Sequence, residues 1–232
     1  MTNKIYNFFP LTILKSKIDL ANTTKDLMIK RIFDMEKNSK NKFYKNEKSS
    51  WTGDTQGFEF LHKNNEFDDF FLEVKKKILE YLEVIGIDHN LLDFYIQRSW
   101  ATISRGKENI AQHKHLQSHL SFAYYLKKDS TDANLLLIDE IKQNEFLPGS
   151  FLSPTISQKG LIKKRNISNT AAIIVEAQED EIVIFPSKTL HQTQPEVNNN
   201  ERISLSADIF ITSKNSENLE HLVTPFKEWK NF

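Results

Sequence analysis

The spacing of apolar residues changes near residue 92. Before it they recur at three- and four-residue steps; after it they alternate. From Thr24 to Asn38 a stripe of Leu27, Met28, Ile32, Phe33 and Met35 predicts a helix, with Thr23 or Thr24 as its N-cap. Glu66 to Ile85 repeats the pattern more strongly through Phe67, Phe70, Phe71, Val74, Ile78, Leu82 and Ile85, and Gly86 and Asp88 supply its stop. The segment between them, Asn38 to Ser50, is polar and lysine-rich and runs into Trp51-Thr-Gly-Asp54.

Beyond Leu92 the period is two. In Leu92 to Ile103 the alternation groups Phe94, Ile96, Trp100 and Thr102 on one face with Arg98 among them, and Tyr95, Gln97 and Ser99 on the other. Leu120 to Leu126, Asn134 to Ile138, Thr170 to Glu176, Glu181 to Phe185 and Arg202 to Thr212 are the further expected strands. Helices first and many short strands after them predict a mainly β fold, a sandwich or jelly roll with N-terminal helices packed on one sheet. The expected organisation is one domain over 1–232, helical to residue 91, a β core over 92–212 and a tail over 213–232. Gln143 to Asn169 holds two prolines, two glycines and a basic cluster at Lys159 to Arg165, and reads as a long loop able to act as a lid.

Composition narrows the function classes. Lysine plus arginine (31) balance aspartate plus glutamate (31), and no long basic block stands out. A nucleic-acid or anionic-membrane surface is therefore not expected. There is no cysteine, so thiolate chemistry and disulfides are excluded. No signal-peptide core and no apolar run of membrane-spanning length is visible, and a cytoplasmic location is expected. Any oligomer is expected to be a homodimer.

Seven histidines are present, and three of them are ordered in a way that suggests chemistry. His113 and His115 stand two apart, just ahead of the aromatic strand Leu120 to Leu126, and His191 follows the strand and turn Ile182 to Ser187. Residues two apart on extended chain point the same way, so the pair can offer two imidazoles to one ion, and a third from a distant strand completes one side of it. The other side stays open, as a non-haem iron centre requires. A histidine pair by itself is more often a hydrogen-bonded surface pair. What shifts the balance is Arg202, which heads a strand whose alternation puts Arg202, Ser204, Ser206 and Asp208 on one face and Ile203, Leu205, Ala207 and Ile209 on the other. A polar face led by a guanidinium suits an anionic guest, above all a carboxylate, with the Ser204 hydroxyl as a further donor.

In this order, the His-x-His pair, the distal His191 and Arg202-x-Ser204 resemble the 2-oxoglutarate/Fe(II)-dependent dioxygenase superfamily, and within it a small bacterial and phage group of 2OG-Fe(II) oxygenases. Matching segments also include Phe8-Phe-Pro-Leu11, Trp51, Ser99-Trp-Ala101, Gly106-Lys-Glu-Asn109, Leu120-Ser-Phe-Ala-Tyr-Tyr125 and Ile184-Phe-Pro-Ser187. The resemblance implies a double-stranded β-helix of cupin-like form, with Fe(II) held by His113, His191 and the residue at position 115. It implies 2-oxoglutarate as cosubstrate, its far carboxylate on Arg202 and Ser204 with Tyr125 or Tyr124 adding a hydrogen bond. The implied reaction hydroxylates a small molecule or a protein side chain and releases succinate and CO₂. Trp100, Arg98, Gln112 and His119 are the residues expected near the substrate. Two positions depart from the pattern. The superfamily usually carries aspartate or glutamate where His115 stands, leaving a carboxylate such as Asp139 as an alternative ligand, and Gln178-Glu-Asp180 replaces a glycine turn. Two other readings stay open: a three-histidine cupin-like metalloprotein that does not use 2-oxoglutarate, and a catalytically silent binding domain.

Overall fold

The computed structural model describes residues 4–39, 48–152 and 159–232. Nine strands follow the chain: β1 (Leu14–Lys17), β2 (Trp51–Thr52), β3 (Leu92–Ser104), β4 (Leu120–Lys127), β5 (Leu135–Ile138), β6 (Ala172–Val175), β7 (Glu181–Pro186), β8 (His191–Thr193) and β9 (Arg202–Ser213). Two helices, α1 (Asn22–Lys37) and α2 (Asp68–Val84), precede β3. The strands form a six-stranded sheet in the order β1-β7-β4-β9-β3-β2 and a three-stranded sheet in the order β6-β5-β8, with antiparallel pairing throughout.

The helices cover one face of the large sheet. Met28, Ile32 and Met35 of α1 and Phe70, Val74, Ile78 and Leu82 of α2 pack with Ala101, Phe122, Ile184, Ile203 and Leu205 in one core. Each of these side chains larger than alanine, taken from water to full burial, contributes about 1.5–3 kcal/mol. Asp68 and Asp69 stand in the first turn of α2, where carboxylates suit the helix dipole. At its other end Gly86 takes φ +76° and donates to the Glu83 carbonyl, and Ile87 donates to Leu82. For α1 the expected threonine cap is not used: Ala21 is the cap, without a side-chain hydrogen bond, and Thr23 and Thr24 lie within the first turn.

The opposite face of the large sheet looks toward the small one. Tyr125, Val183 and Phe185 from the first meet Leu135, Leu137 and Val175 from the second in a separate core. Strict alternation explains the division: Ile182 and Ile184 go to the helix side, Val183 and Phe185 to the space between sheets. This is the mainly β, two-sheet arrangement with external helices of a double-stranded β-helix.

The alternation in β3 departs from expectation. Pairing with β9 slips between Ile96 and Arg98, so Gln97 is an extra residue. The bulge reverses parity: Phe94 and Ile96 join the helix-side core with Ala101 and Ile103, whereas Trp100 and Thr102 turn to the cavity between the sheets. The single face expected to hold Phe94, Ile96, Trp100 and Thr102 is in fact two faces.

Gln178-Glu-Asp180 stand just before β7. Asp180 adopts φ +67°, the left-handed conformation a glycine takes without cost, and its side chain repays the strain by pairing with Lys25 at 2.7 Å and accepting from Tyr124 Oη at 3.1 Å. Residues 153–158 of the proposed lid and 40–47 of the lysine-rich segment lie outside the described residues. No described helix is long and apolar enough to cross a membrane.

Candidate functional site

A cavity of about 660 Å³ opens between the two sheets. His113, His115 and His191 line it together, with one ring nitrogen of each within 4.8 Å of the others. His113 and His115 sit in the connection before β4, not in a regular strand. The extended geometry comes from backbone pairing instead: His113 and His191 exchange N–H···O bonds at 2.9 Å each, and the His115 N–H donates to the Ser187 carbonyl at 2.9 Å. The connection is thus tied to β8 on one side and to the end of β7 on the other.

All three rings are turned the same way. Nδ1 of His113 is 2.8 Å from the Ala111 carbonyl, and Nδ1 of His191 is 2.8 Å from the Thr189 carbonyl. A carbonyl only accepts, so Nδ1 carries the proton in both and Nε2 keeps its lone pair. His115 directs Nδ1 at the Asp208 carboxylate, with its oxygens at 2.9 and 3.1 Å. Burial lowers His113, and burial followed by the neighbouring His113 pulls His191 down to about 4. Neutral rings with inward lone pairs are what a divalent metal needs, and a bond from the outer nitrogen is the usual way a ligand is oriented. The donor set therefore fits a transition metal with positions left open.

Asp208 is fully buried. Burial alone would raise its carboxyl, but hydrogen bonds from His115, Ser121 and Arg98 outweigh that and hold it below the usual carboxylate range. Trp100 lies flat over His115, at 5.6 Å between centroids and 17° between planes, and the Arg98 guanidinium stands over the indole ring at 5.1 Å.

Arg202, Ser204 and Tyr125 line the same cavity. The Arg202 guanidinium is 2% exposed; Nε donates to Glu196, which is equally buried, and Nη2 donates to Ser104 Oγ at 3.0 Å. Among the described residues Nη1 makes no hydrogen bond. Glu196 also accepts from the Ala133 N–H at 2.9 Å. Tyr125 stands opposite Ser204 across the β4–β9 pairing, and burial raises its hydroxyl. A carboxylate-bearing small molecule fits this end of the cavity through guanidinium and hydroxyl donors.

Several expected residues lie elsewhere. Tyr124 points to the helix side, against Phe70 at 4.8 Å, because β4 alternates and puts Tyr124 in the helix-side core while Tyr125 lines the cavity. Arg98 does not line the cavity; it donates to the Asp208 carboxylate through Nη2 at 3.2 Å. His119 is exposed and accepts from the Ile211 N–H at 2.9 Å, away from the other histidines. Asp139 accepts from the Ile141 N–H at 2.9 Å and is not part of the histidine cluster. Among its described residues the 143–169 loop does not line the cavity. Trp100 and Gln112 do line it.

Glu196 and the Asp208–His115 contact were not visible in advance. Asp208 could have been suspected from the polar face of β9. Glu196 lies in a turn-like stretch, Pro195-Glu-Val-Asn-Asn-Asn, and nothing in that stretch signals a buried charge.

The sequence profile of the family described as "Putative 2OG-Fe(II) oxygenase" matches residues 98–208. No curated protein matches the sequence. Among solved structures, the chain is similar to the non-heme alpha ketoglutarate dependent epimerase SnoN from nogalamycin biosynthesis, with TM-score 0.55 and 10% identity over 89% of this chain and 82% of that one. AviO1 from Streptomyces viridochromogenes Tue57 superimposes with TM-score 0.54 and 10% identity, covering 86% and 90%. The non-heme alpha ketoglutarate dependent carbocyclase SnoK from nogalamycin biosynthesis gives TM-score 0.53 and 10% identity, covering 96% and 90%. At such identities the likeness is one of fold.

Proposed function

We propose that the protein is a 2-oxoglutarate-dependent non-haem iron dioxygenase whose metal is held by Nε2 of His113, His115 and His191, a reading supported by the match of the 2OG-Fe(II) oxygenase family profile to residues 98–208. The observation that carries this reading is the meeting, in one cavity, of three inward-facing imidazoles with the guanidinium of Arg202 and the hydroxyls of Ser204 and Tyr125. Fe(II), 2-oxoglutarate and O₂ would supply the oxidation, with succinate and CO₂ leaving as one hydroxyl is transferred to the substrate.

The chain's own residues bind and orient. The carbonyls of Ala111 and Thr189 and the carboxylate of Asp208 hold the three rings in the tautomer a metal requires. Glu196 takes one edge of the Arg202 guanidinium and so aims the remaining donors at the distal carboxylate of the cosubstrate. Leu135 and Phe185 give that end of the cavity apolar walls that exclude water. Trp100 and Gln112 are proposed to meet the substrate, a small molecule or a protein side chain.

The pairing of Arg202 with Glu196 favours one other reading, a three-histidine metalloprotein that takes no dicarboxylate. One assay separates the two. Anaerobic protein loaded with Fe(II) and 2-oxoglutarate is expected to develop a metal-to-ligand charge-transfer band and, on admitting O₂, to form succinate without added substrate. Bound iron with neither signal would sink the oxygenase reading in favour of the second.

A further inference from the structure

We propose that Asp208 provides, one hydrogen bond behind His115, the negative charge and ring alignment that an aspartate at position 115 would give the metal directly. The inference rests on the metal site proposed above. It makes Asp208 a positioning residue that acts through His115.

The geometry is specific. Asp208 is fully buried, and both its oxygens lie close to Nδ1 of His115, at 2.9 and 3.1 Å. The two side chains are 0% and 8% exposed, so little water screens their contact. A carboxylate in such a place costs several kcal/mol unless donors surround it. Here Ser121 Oγ donates at 3.0 Å, Arg98 Nη2 at 3.2 Å and Gln117 Nε2 at 3.3 Å, in addition to the imidazole. Ser121 is in turn joined to Ser187, and Ser187 to Ser118, so the carboxylate heads a line of hydroxyls, in part buried, that fixes its rotamer.

Arg98 does not cancel the effect. Its side chain is 33% exposed and touches Asp208 through one nitrogen, so solvent weakens its field, while the His115 contact is closed. A carboxylate accepting from the outer nitrogen makes the inner nitrogen more basic and fixes the direction of its lone pair. His115 backed by Asp208 thus carries part of a negative charge to the metal. His113 and His191 are backed only by neutral carbonyls. The His115 ring is also clamped by Trp100 stacked over it, which leaves the Asp208 bond to set the remaining rotation about the ring axis.

The prediction concerns a pair, so it can be read from a double-mutant cycle in Fe(II) affinity, measured anaerobically against a competing chelator with the full chain. Asp208→Asn removes the charge and keeps an acceptor, and should weaken Fe(II) binding about 10–100-fold. His115→Asp should not improve binding in the wild-type background, because it sets a second carboxylate beside Asp208. Adding Asp208→Asn to it should then strengthen binding, reversing the sign of the same substitution. A loss from Asp208→Asn that is equal in both backgrounds, or no loss in either, would overturn the proposal while leaving the metal site standing. Wild-type protein that binds no Fe(II), or binds it undiminished after His113→Ala, would instead remove the metal site itself.

Should Asp208→Asn not fold, histidine-selective ¹⁵N NMR of Zn(II)-loaded wild-type protein decides the matter. The Nδ1–H proton of His115 is expected further downfield than those of His113 and His191. An Nε2–H tautomer at His115, or a proton no further downfield than theirs, overturns the proposal.

Discussion

The Glu196–Arg202 pair offers the sharpest test of how the cosubstrate end of the cavity is built. Both side chains are almost wholly buried, and the guanidinium's other hydrogen bond goes to Ser104 at 3.0 Å. Removing one partner of such a pair leaves an uncompensated buried charge, at a cost of about 3–5 kcal/mol. Glu196→Ala also strips the Ala133 N–H of its acceptor, adding about 1 kcal/mol. In a chain of this size each kcal/mol lowers the melting temperature by about 2–4 °C, so Glu196→Ala should melt roughly 10–20 °C early in ligand-free protein. Glu196→Gln keeps an acceptor for Ala133 and isolates the charge contribution. Arg202→Met makes the converse orphan, and Glu196→Gln with Arg202→Met should lose less stability than either single change, since no unpaired charge remains. Urea denaturation of the four proteins gives the coupling directly. Additive losses, or single losses below about 1 kcal/mol, would refute the view that the two charges hold one another. Adding 2-oxoglutarate extends the test. If Arg202 anchors its distal carboxylate, the ligand should raise the melting temperature of Glu196→Gln by more than that of wild type, because it replaces the missing charge. An equal rise would detach Arg202 from cosubstrate binding.

Three further outcomes follow from particular contacts. Tyr125→Phe should raise the 2-oxoglutarate concentration needed for half-maximal succinate formation, whereas Tyr124→Phe should leave it unchanged and cost about 1 kcal/mol of stability through loss of the Asp180 bond; the reverse pattern would mean that β4 presents its other face. Deleting Gln97 should be far more destabilising than Gln97→Ala, by melting temperature, since removing the bulge forces either Phe94 and Ile96 or Trp100 and Thr102 to the wrong side of the sheet. Acid should weaken metal-free protein through His191, which titrates at about 4 in the fold against an ordinary 6.5. Above pH 6.5 both states are neutral and nothing is lost; between 6.5 and about 4 the unfolded chain binds the extra proton and stability falls; below that the loss is complete. The urea midpoint of His191→Gln should therefore depend less steeply on pH over that window, and equal slopes would refute the assignment.

How much of this could be read from the chain depends on whether the deciding contact is periodic or remote. The stripe of α2 and the two faces of β9 are periodic, and both hold in the structure: Ile203, Leu205, Ala207 and Ile209 meet the helices while Arg202 and Ser204 face the cavity. The choice between Tyr124 and Tyr125 was legible by the same rule, because Leu120, Phe122, Tyr124 and Leu126 form one apolar row and Ser121 and Tyr125 belong to the other. Gln97 was not legible. A bulge adds one residue without changing composition, and the apolar and polar positions around it read equally well as an unbroken strand. Nor could spacing reveal which charges are buried together. Asp208 meets His115 across 93 residues of chain, and Glu196 looks like any glutamate in an asparagine-rich turn until the fold closes Arg202 over it. Both hidden partners are carboxylates that back a predicted site residue from behind. Ligand-facing groups must keep particular chemistry at particular strand positions, which leaves a pattern. The groups that orient them need only arrive from somewhere in the fold with one oxygen at the right distance, and that requirement leaves none.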